Sequence, residues 1–140
     1  MKTLSPHTRT RLVNHDAGRA SARGGRVIID VVPVAKPRMT QRDRWKQRPS
    51  VLAYRAYADA LRLAHPHALP DVIELVFYLP MPRSWSARKQ ARMLNQPHRV
   101  KPDLDNLTKA VLDALHPKDQ EVWRYSAEKR WSDRGRVVIM

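Results

Sequence analysis

The chain has no cysteine. That excludes disulfides, thiolate-bound zinc and a cysteine nucleophile, and it fits a protein of the reducing cytoplasm. No apolar run approaches the ~20 residues that a membrane-spanning helix needs, so no membrane partner is expected. The first residues lack the apolar stretch of a secretory signal. Acids are the scarce charge: 13 Asp and Glu stand against 27 Lys and Arg, a net charge of +14. A chain this basic repels itself unless an anionic partner neutralises it, and nucleic acid is the usual partner because neutralised phosphates release condensed counterions. With 140 residues, one domain with a tail is expected, and a chain this short often gains stability by pairing with a copy of itself.

Residues 1–25 contain little large apolar surface to offset the entropy of ordering. Residues 1–26 hold six Lys or Arg and one acid, Asp16, hence +5 of the total. This composition reads as a flexible basic arm over 1–25. An Arg-rich, acid-poor start also weakly mimics an organelle transit peptide, but a loose DNA-binding arm has the same composition. The ordered domain is then 26–140. Val27 to Val32 is short and β-branched, which predicts a strand stopped by Pro33. Lys36 to Pro49 is a basic loop. Val51 to Ala64 reads as a helix with Ser50 as its cap and Leu52, Tyr54, Ala58, Leu61 and Leu63 on its apolar side. Val72 to Leu79 is a second strand, and Ser84-Trp85-Ser86 can cap a short basic helix from Ala87 to Leu94. Asp103 to Leu115 carries Leu104, Leu107, Val111 and Leu115 at helical spacing. Glu121 to Trp131 and Arg136 to Met140 read as closing strands with Ser132 to Gly135 as their turn. The order β-α-β-α-α-β-β gives an α/β (α+β) domain with a single mixed sheet and packed helices.

Because acids are scarce, their placement matters. Asp103 and Asp105 flank Leu104 at the start of the main helix, behind the basic run Arg99-Val100-Lys101. Asp119 follows a short Pro-containing turn and can fold back toward them. Three converging carboxylates repel one another, and a hard divalent cation relieves that repulsion. Magnesium takes oxygen ligands from one or two carboxylates, waters and substrate phosphate, and it can activate water against a phosphodiester. Lys109, one turn beyond Asp105, could stabilise charge on the attacked phosphate. A plainer account also holds at this point: first-turn acids favour the helix dipole by ~0.3–1 kcal/mol each, and Asp105–Lys109 is an ordinary i, i+4 pair. Asp113 reads as a structural partner of Lys109, Asn106 as a helix-entrance residue or a hydrogen-bonding one, and His98 and His116 as exposed loop histidines.

The run Lys101-Pro102-Asp103-Leu104-Asp105-Asn106-Leu107-Thr108-Lys109-Ala110-Val111-Leu112-Asp113-Ala114-Leu115 resembles the signature of RusA-type Holliday junction resolvases. Lys36-Pro37-Arg38-Met39-Thr40 with Trp45-Lys46, the stretch Leu79 to Ser86, Pro97-His98, Asp119 to Trp123 and Lys129-Arg130-Trp131 are similar to further segments of its phage-like branch. The likeness covers roughly 27–140. It implies a homodimeric α/β endonuclease that cuts four-way DNA junctions with Mg2+, in recombination and repair. It also implies that Asp103, Asp105 and Asp119 hold the metal and that Lys109 is the catalytic lysine. Where the family usually has two adjacent acids before the third strand, this chain has Lys118 and then Asp119. The expectation is therefore a resolvase making paired symmetric nicks, with Lys36, Arg38, Arg83, Arg88, Lys89, Arg99 and Lys101 steering the DNA backbones. A flap or fork nuclease and a non-catalytic basic DNA-binding module are the alternatives. The expected setting is the cytoplasm of a bacterial or phage-infected cell.

Overall fold

The computed structural model describes residues 12–14, 18–23, 25–44, 48–67, 69–116 and 118–140, and of residues 12–14, 18–23, 44 and 119 the backbone alone. Nine principal elements run in the order β1 (Leu12–Asn14), β2 (Gly18–Arg23), β3 (Arg26–Ile29), α1 (Pro49–Ala64), β4 (Val72–Pro80), α2 (Ala87–Met93), α3 (Leu104–Leu115), β5 (Arg124–Ser132) and β6 (Arg136–Ile139). The strands form one mixed sheet in the order β1-β2-β3-β6-β4-β5. The four strands β3, β6, β4 and β5 and the three helices are the α+β layer arrangement that the sequence predicts. β1 and β2 fall inside the stretch that composition assigns to a basic arm; they pair antiparallel with each other and, through Ala20↔Ile29, with β3. Residues 1–11 of that arm, Trp45, Lys46 and Pro117 lie outside the described residues.

The core forms on one face of the sheet. Ile73, Leu75, Phe77 and Leu79 alternate along β4, as period-2 geometry requires, and all are buried. Leu75 pairs with Ile139 and Phe77 with Val137, so β6 adds to the same face, and Ile29 joins opposite Val137. Against this surface pack Tyr54, Tyr57, Ala58 and Leu61 of α1 with Leu107, Ala110, Val111, Ala114 and Leu115 of α3.

Two local predictions are corrected. Helix α1 starts at Pro49, with Arg48 rather than Ser50 as its N-cap, and Pro suits the first helical turn because its missing N–H would be unpaired there anyway. Its inward stripe is Val51, Tyr54, Tyr57, Ala58, Leu61 and Ala64, while Leu52 and Leu63 are exposed. The closing strands are also not hairpin partners. β5 runs parallel to β4, and β6 runs antiparallel to it on the other side. Residues Asp133–Gly135 therefore cross over the end of β4. That crossing is tight: a Cβ on Gly135 would lie 2.5 Å from the Val32 Cα, so glycine is the residue that fits this close approach of two backbones.

Candidate active site

Helix α3 separates its chemistry from its packing. Leu107, Ala110, Val111, Ala114 and Leu115 are buried, whereas Asp103, Asp105 and Lys109 are exposed. Asp103 is the N-cap residue, extended in backbone, and its carboxylate makes no capping bond. Asp105 Oδ1 accepts the Asn106 N–H at 2.9 Å, which fixes one oxygen and leaves the other to the surface. Neither aspartate is in an ion pair among the described residues, although Asp43, Asp59, Asp71 and Asp113 all have basic neighbours within 4.0 Å. Two hard oxygen donors kept out of ion pairs in a chain of net charge +14 are a donor set that suits Mg2+, which commonly takes one or two carboxylates and completes its shell with water and phosphate. Asp119 opens a 3-10 turn, Asp119–Glu121, and its side chain is outside those described. Among the described residues, no group of three or more carboxylate, histidine or cysteine side chains converges as a metal site.

The loop that delivers the two aspartates is held from β5. Lys129 Nζ donates to the Val100 carbonyl at 2.5 Å and to the Pro102 carbonyl at 2.7 Å. Ion-to-carbonyl bonds of this kind are stronger than neutral ones. The chain just before the loop runs along the outer edge of β5: the Asn95 N–H reaches the Trp131 carbonyl, the Trp131 N–H the Gln96 carbonyl and the His98 N–H the Lys129 carbonyl, at 2.9, 2.9 and 3.0 Å. Asn95 turns the chain out of α2 with φ 66°, a left-handed conformation that asparagine tolerates better than most residues.

Further braces hold the rest of α3. The Lys36 N–H donates to the Asn106 carbonyl at 3.1 Å, and Lys36 Nζ bonds Asp113 two turns further along. Asp113 is thus the partner of Lys36 and not of Lys109, and Lys36 is a half-buried tie between loop and helix. Arg62 of α1 donates to the Ala114 carbonyl at 3.0 Å, satisfying a backbone acceptor in the last turn of α3. Past that end, His116 Nδ1 accepts the Lys118 N–H at 3.2 Å, and His116 Nε2 lies 3.7 Å from Asp71 Oδ1. This histidine orients the turn that leads to Asp119.

Both histidines expected on exposed loops are buried. His98 is 5 % exposed and His116 8 %. The His98 ring lies against Trp131, with centroids 4.1 Å apart. Burial, with Lys129 nearby, holds the His98 pKa below the usual histidine value. Among the expected DNA-contacting residues, Arg38, Arg83, Arg88, Arg99 and Lys101 are exposed. Lys89 is half-buried, with its ammonium 4.3 Å from the Trp85 ring centroid. The basic loop is closed by Asp43, whose carboxylate takes Arg48 Nε at 2.7 Å, Arg48 Nη2 at 2.8 Å and the Thr40 N–H at 2.6 Å. The Arg48 guanidinium holds this carboxyl well below the usual range. Lys129, His116 and the Asp43–Arg48 pair were missed from sequence. The Asp43–Arg48 spacing of five residues is the one local hint, whereas Lys129 reaches partners 27 and 29 residues away.

A basic mixed α+β domain whose main helix keeps carboxylates out of ion pairs at its exposed entrance has the design of a protein that handles phosphodiesters. The family model described as endodeoxyribonuclease RusA matches residues 29–140. A search of curated proteins finds no match. The chain belongs to the RusA endodeoxyribonuclease family, and its activity is that of an endonuclease that resolves Holliday junctions.

Proposed function

We propose that this endonuclease depends on Mg2+, works as a homodimer and nicks two junction strands of like polarity at symmetric positions. The observation that carries the metal reading is the state of Asp103 and Asp105, which are exposed, two residues apart at the α3 entrance and outside any ion pair among the described residues. Asp103 and Asp105 would hold the ion, and Asp119 is assigned to the same task from its place in the motif. When bound, the ion supplies charge neutralisation at the scissile phosphate and lowers the pKa of water.

The chain's own residues set up the rest. Asp105 is oriented by the Asn106 N–H. Lys129 holds the Val100 and Pro102 carbonyls, so the loop entering α3 presents Asp103 in one position. Lys109 stands one helical turn from Asp105, where its ammonium can meet negative charge building on the phosphate. Arg38, Arg83, Arg88, Lys89, Arg99 and Lys101 engage the DNA backbones. A two-fold dimer matches the pseudo-two-fold of a four-way junction, which accounts for paired nicks. We place the protein in the cytoplasm of a bacterial or phage-infected cell, where such junctions arise.

The test is cleavage of a labelled four-way junction in Mg2+ by the wild type and by Asp105→Asn, with linear duplex as control. Paired symmetric nicks, lost in the variant while junction binding persists, are the expected result. Undiminished cutting by Asp105→Asn would remove this residue from the site, and binding without cutting by either protein would leave a DNA-binding module.

A further inference from the structure

Beside the loop that enters α3 lies a cleft of about 430 Å³, within the ~300–1,000 Å³ range of small-ligand pockets. Trp85 and Trp131 form its floor, with ring centroids 4.8 Å apart and planes tilted by 56°. Met93 and Val100 add apolar walls, and Lys89 and Arg99 supply cations. Trp131 is nearly buried and backed by His98, whereas Trp85 is half-exposed. The floor is therefore backed by His98 beneath, and above it the Lys89 ammonium lies over the Trp85 ring at 4.3 Å, so an incoming flat group takes the place of that cation and leaves it at the rim. Arg99 and Val100 belong to the loop that carries Asp103, and Lys129 grips that loop at Val100. An occupant of the cleft would press directly on the segment that delivers the acidic residues.

The lining specifies the occupant. An open aromatic concavity left to water forgoes the favourable burial of apolar surface. The matching ligand has a flat π-face and an anionic group beside it, because the rim holds a lysine and an arginine. Bases in continuous duplex are stacked on each other and offer no free face. Base pairs at the branch point of an opened junction have lost a stacking neighbour, so a base there leaves its stack at lower cost than in continuous duplex, and stacking on an aromatic side chain tolerates any base. We propose that this cleft captures one unpaired nucleobase of branched DNA, stacked on the Trp85–Trp131 floor, with its phosphate held by Lys89 and Arg99. The proposal rests on the junction-nuclease reading and extends it: selectivity for branched DNA then comes partly from a base that duplex cannot present.

The test uses the full chain without divalent metal. Binding of a short single-stranded adenine oligonucleotide is compared with that of an abasic backbone of equal length and charge, and intrinsic tryptophan fluorescence is followed. The base-bearing strand should bind about tenfold more tightly and quench the fluorescence. Trp85→Ala should bring the two strands to parity, and Trp85→Phe should keep most of the difference. Equal affinity of the wild type for both strands overturns the proposal without recourse to any variant. A base preference untouched by Trp85→Ala also overturns it, as does quenching that grows with protein concentration in the absence of DNA, which would mark the cleft as a contact between copies. Junction cleavage in Mg2+ is run alongside. Cutting without a base preference sinks the cleft alone, while a base preference without cutting leaves the cleft standing and removes the nuclease reading.

Discussion

His98 has its ring against Trp131 and its backbone N–H on Lys129. Burial and the neighbouring ammonium both disfavour its charged form. The unfolded chain carries an ordinary histidine that titrates near 6.5. The folded state therefore binds this proton less readily than the unfolded state does. The sign of the linkage follows: the stability from neutral His98 is fully present above about pH 6.5 and is lost as pH falls through the lowered folded value. Urea unfolding at pH 7.5 and pH 5 should show the wild type losing stability on acidification by more than His98→Phe does, since phenylalanine keeps the ring contact and has no proton to bind. Equal losses in the two proteins would mean that His98 carries no such linkage. Nothing in the local sequence separates a buried histidine from an exposed one here, because what buries His98 is Trp131, a residue 33 positions away.

At the level of elements, α3 and its entrance depend on ties from outside the helix. Lys129→Met removes the two bonds to the Val100 and Pro102 carbonyls while keeping the length and apolar stem of the side chain. Each charge-assisted bond is worth ~1.5–3 kcal/mol, and water can take up part of that at this half-buried site. A loss of about 2 kcal/mol in urea unfolding is expected, together with a fall in kcat that exceeds any change in junction affinity. A variant that loses affinity and keeps kcat would place Lys129 among the DNA contacts and not among the braces. The helix itself was legible in the sequence because Leu107, Val111 and Leu115 repeat at its period and Asp103 marks its start. The braces were not, because Lys129, Lys36 and Arg62 reach α3 from other elements. The same limit explains the misplaced stripe of α1, where the alternatives Leu52 and Tyr57 are both apolar and only contact with α3 and the sheet decides between them. It also explains the strand order, since a β-rich ending reads equally well as a hairpin and as two strands straddling β4.

For the whole molecule, the +14 charge turns into function only through where the cations stand. Lys36 is committed to Asp113 and Arg48 to Asp43. Of the seven expected DNA contacts, Arg38, Arg83, Arg88, Arg99 and Lys101 are exposed and Lys89 lies at the edge of the tryptophan cleft. Six phosphate contacts in one engaged copy contribute a slope near −5 to the fall of log Kobs with log[salt], roughly a thousandfold loss between 50 and 200 mM salt for that copy alone, and a slope near −11 when two copies engage. A two-fold dimer on a four-way junction doubles every contact, so one substitution removes two phosphates at once. The slope for Arg88→Ala should therefore be shallower than the wild type's by about 1.8, whereas a single engaged copy gives about 0.9. Measuring junction affinity across a salt series for these two proteins reads the charge contacts and the symmetry together. A slope that Arg88→Ala leaves unchanged would take α2 off the DNA. A change near 0.9 would keep the contact and remove simultaneous engagement by two copies, and with it the geometric basis for paired nicks.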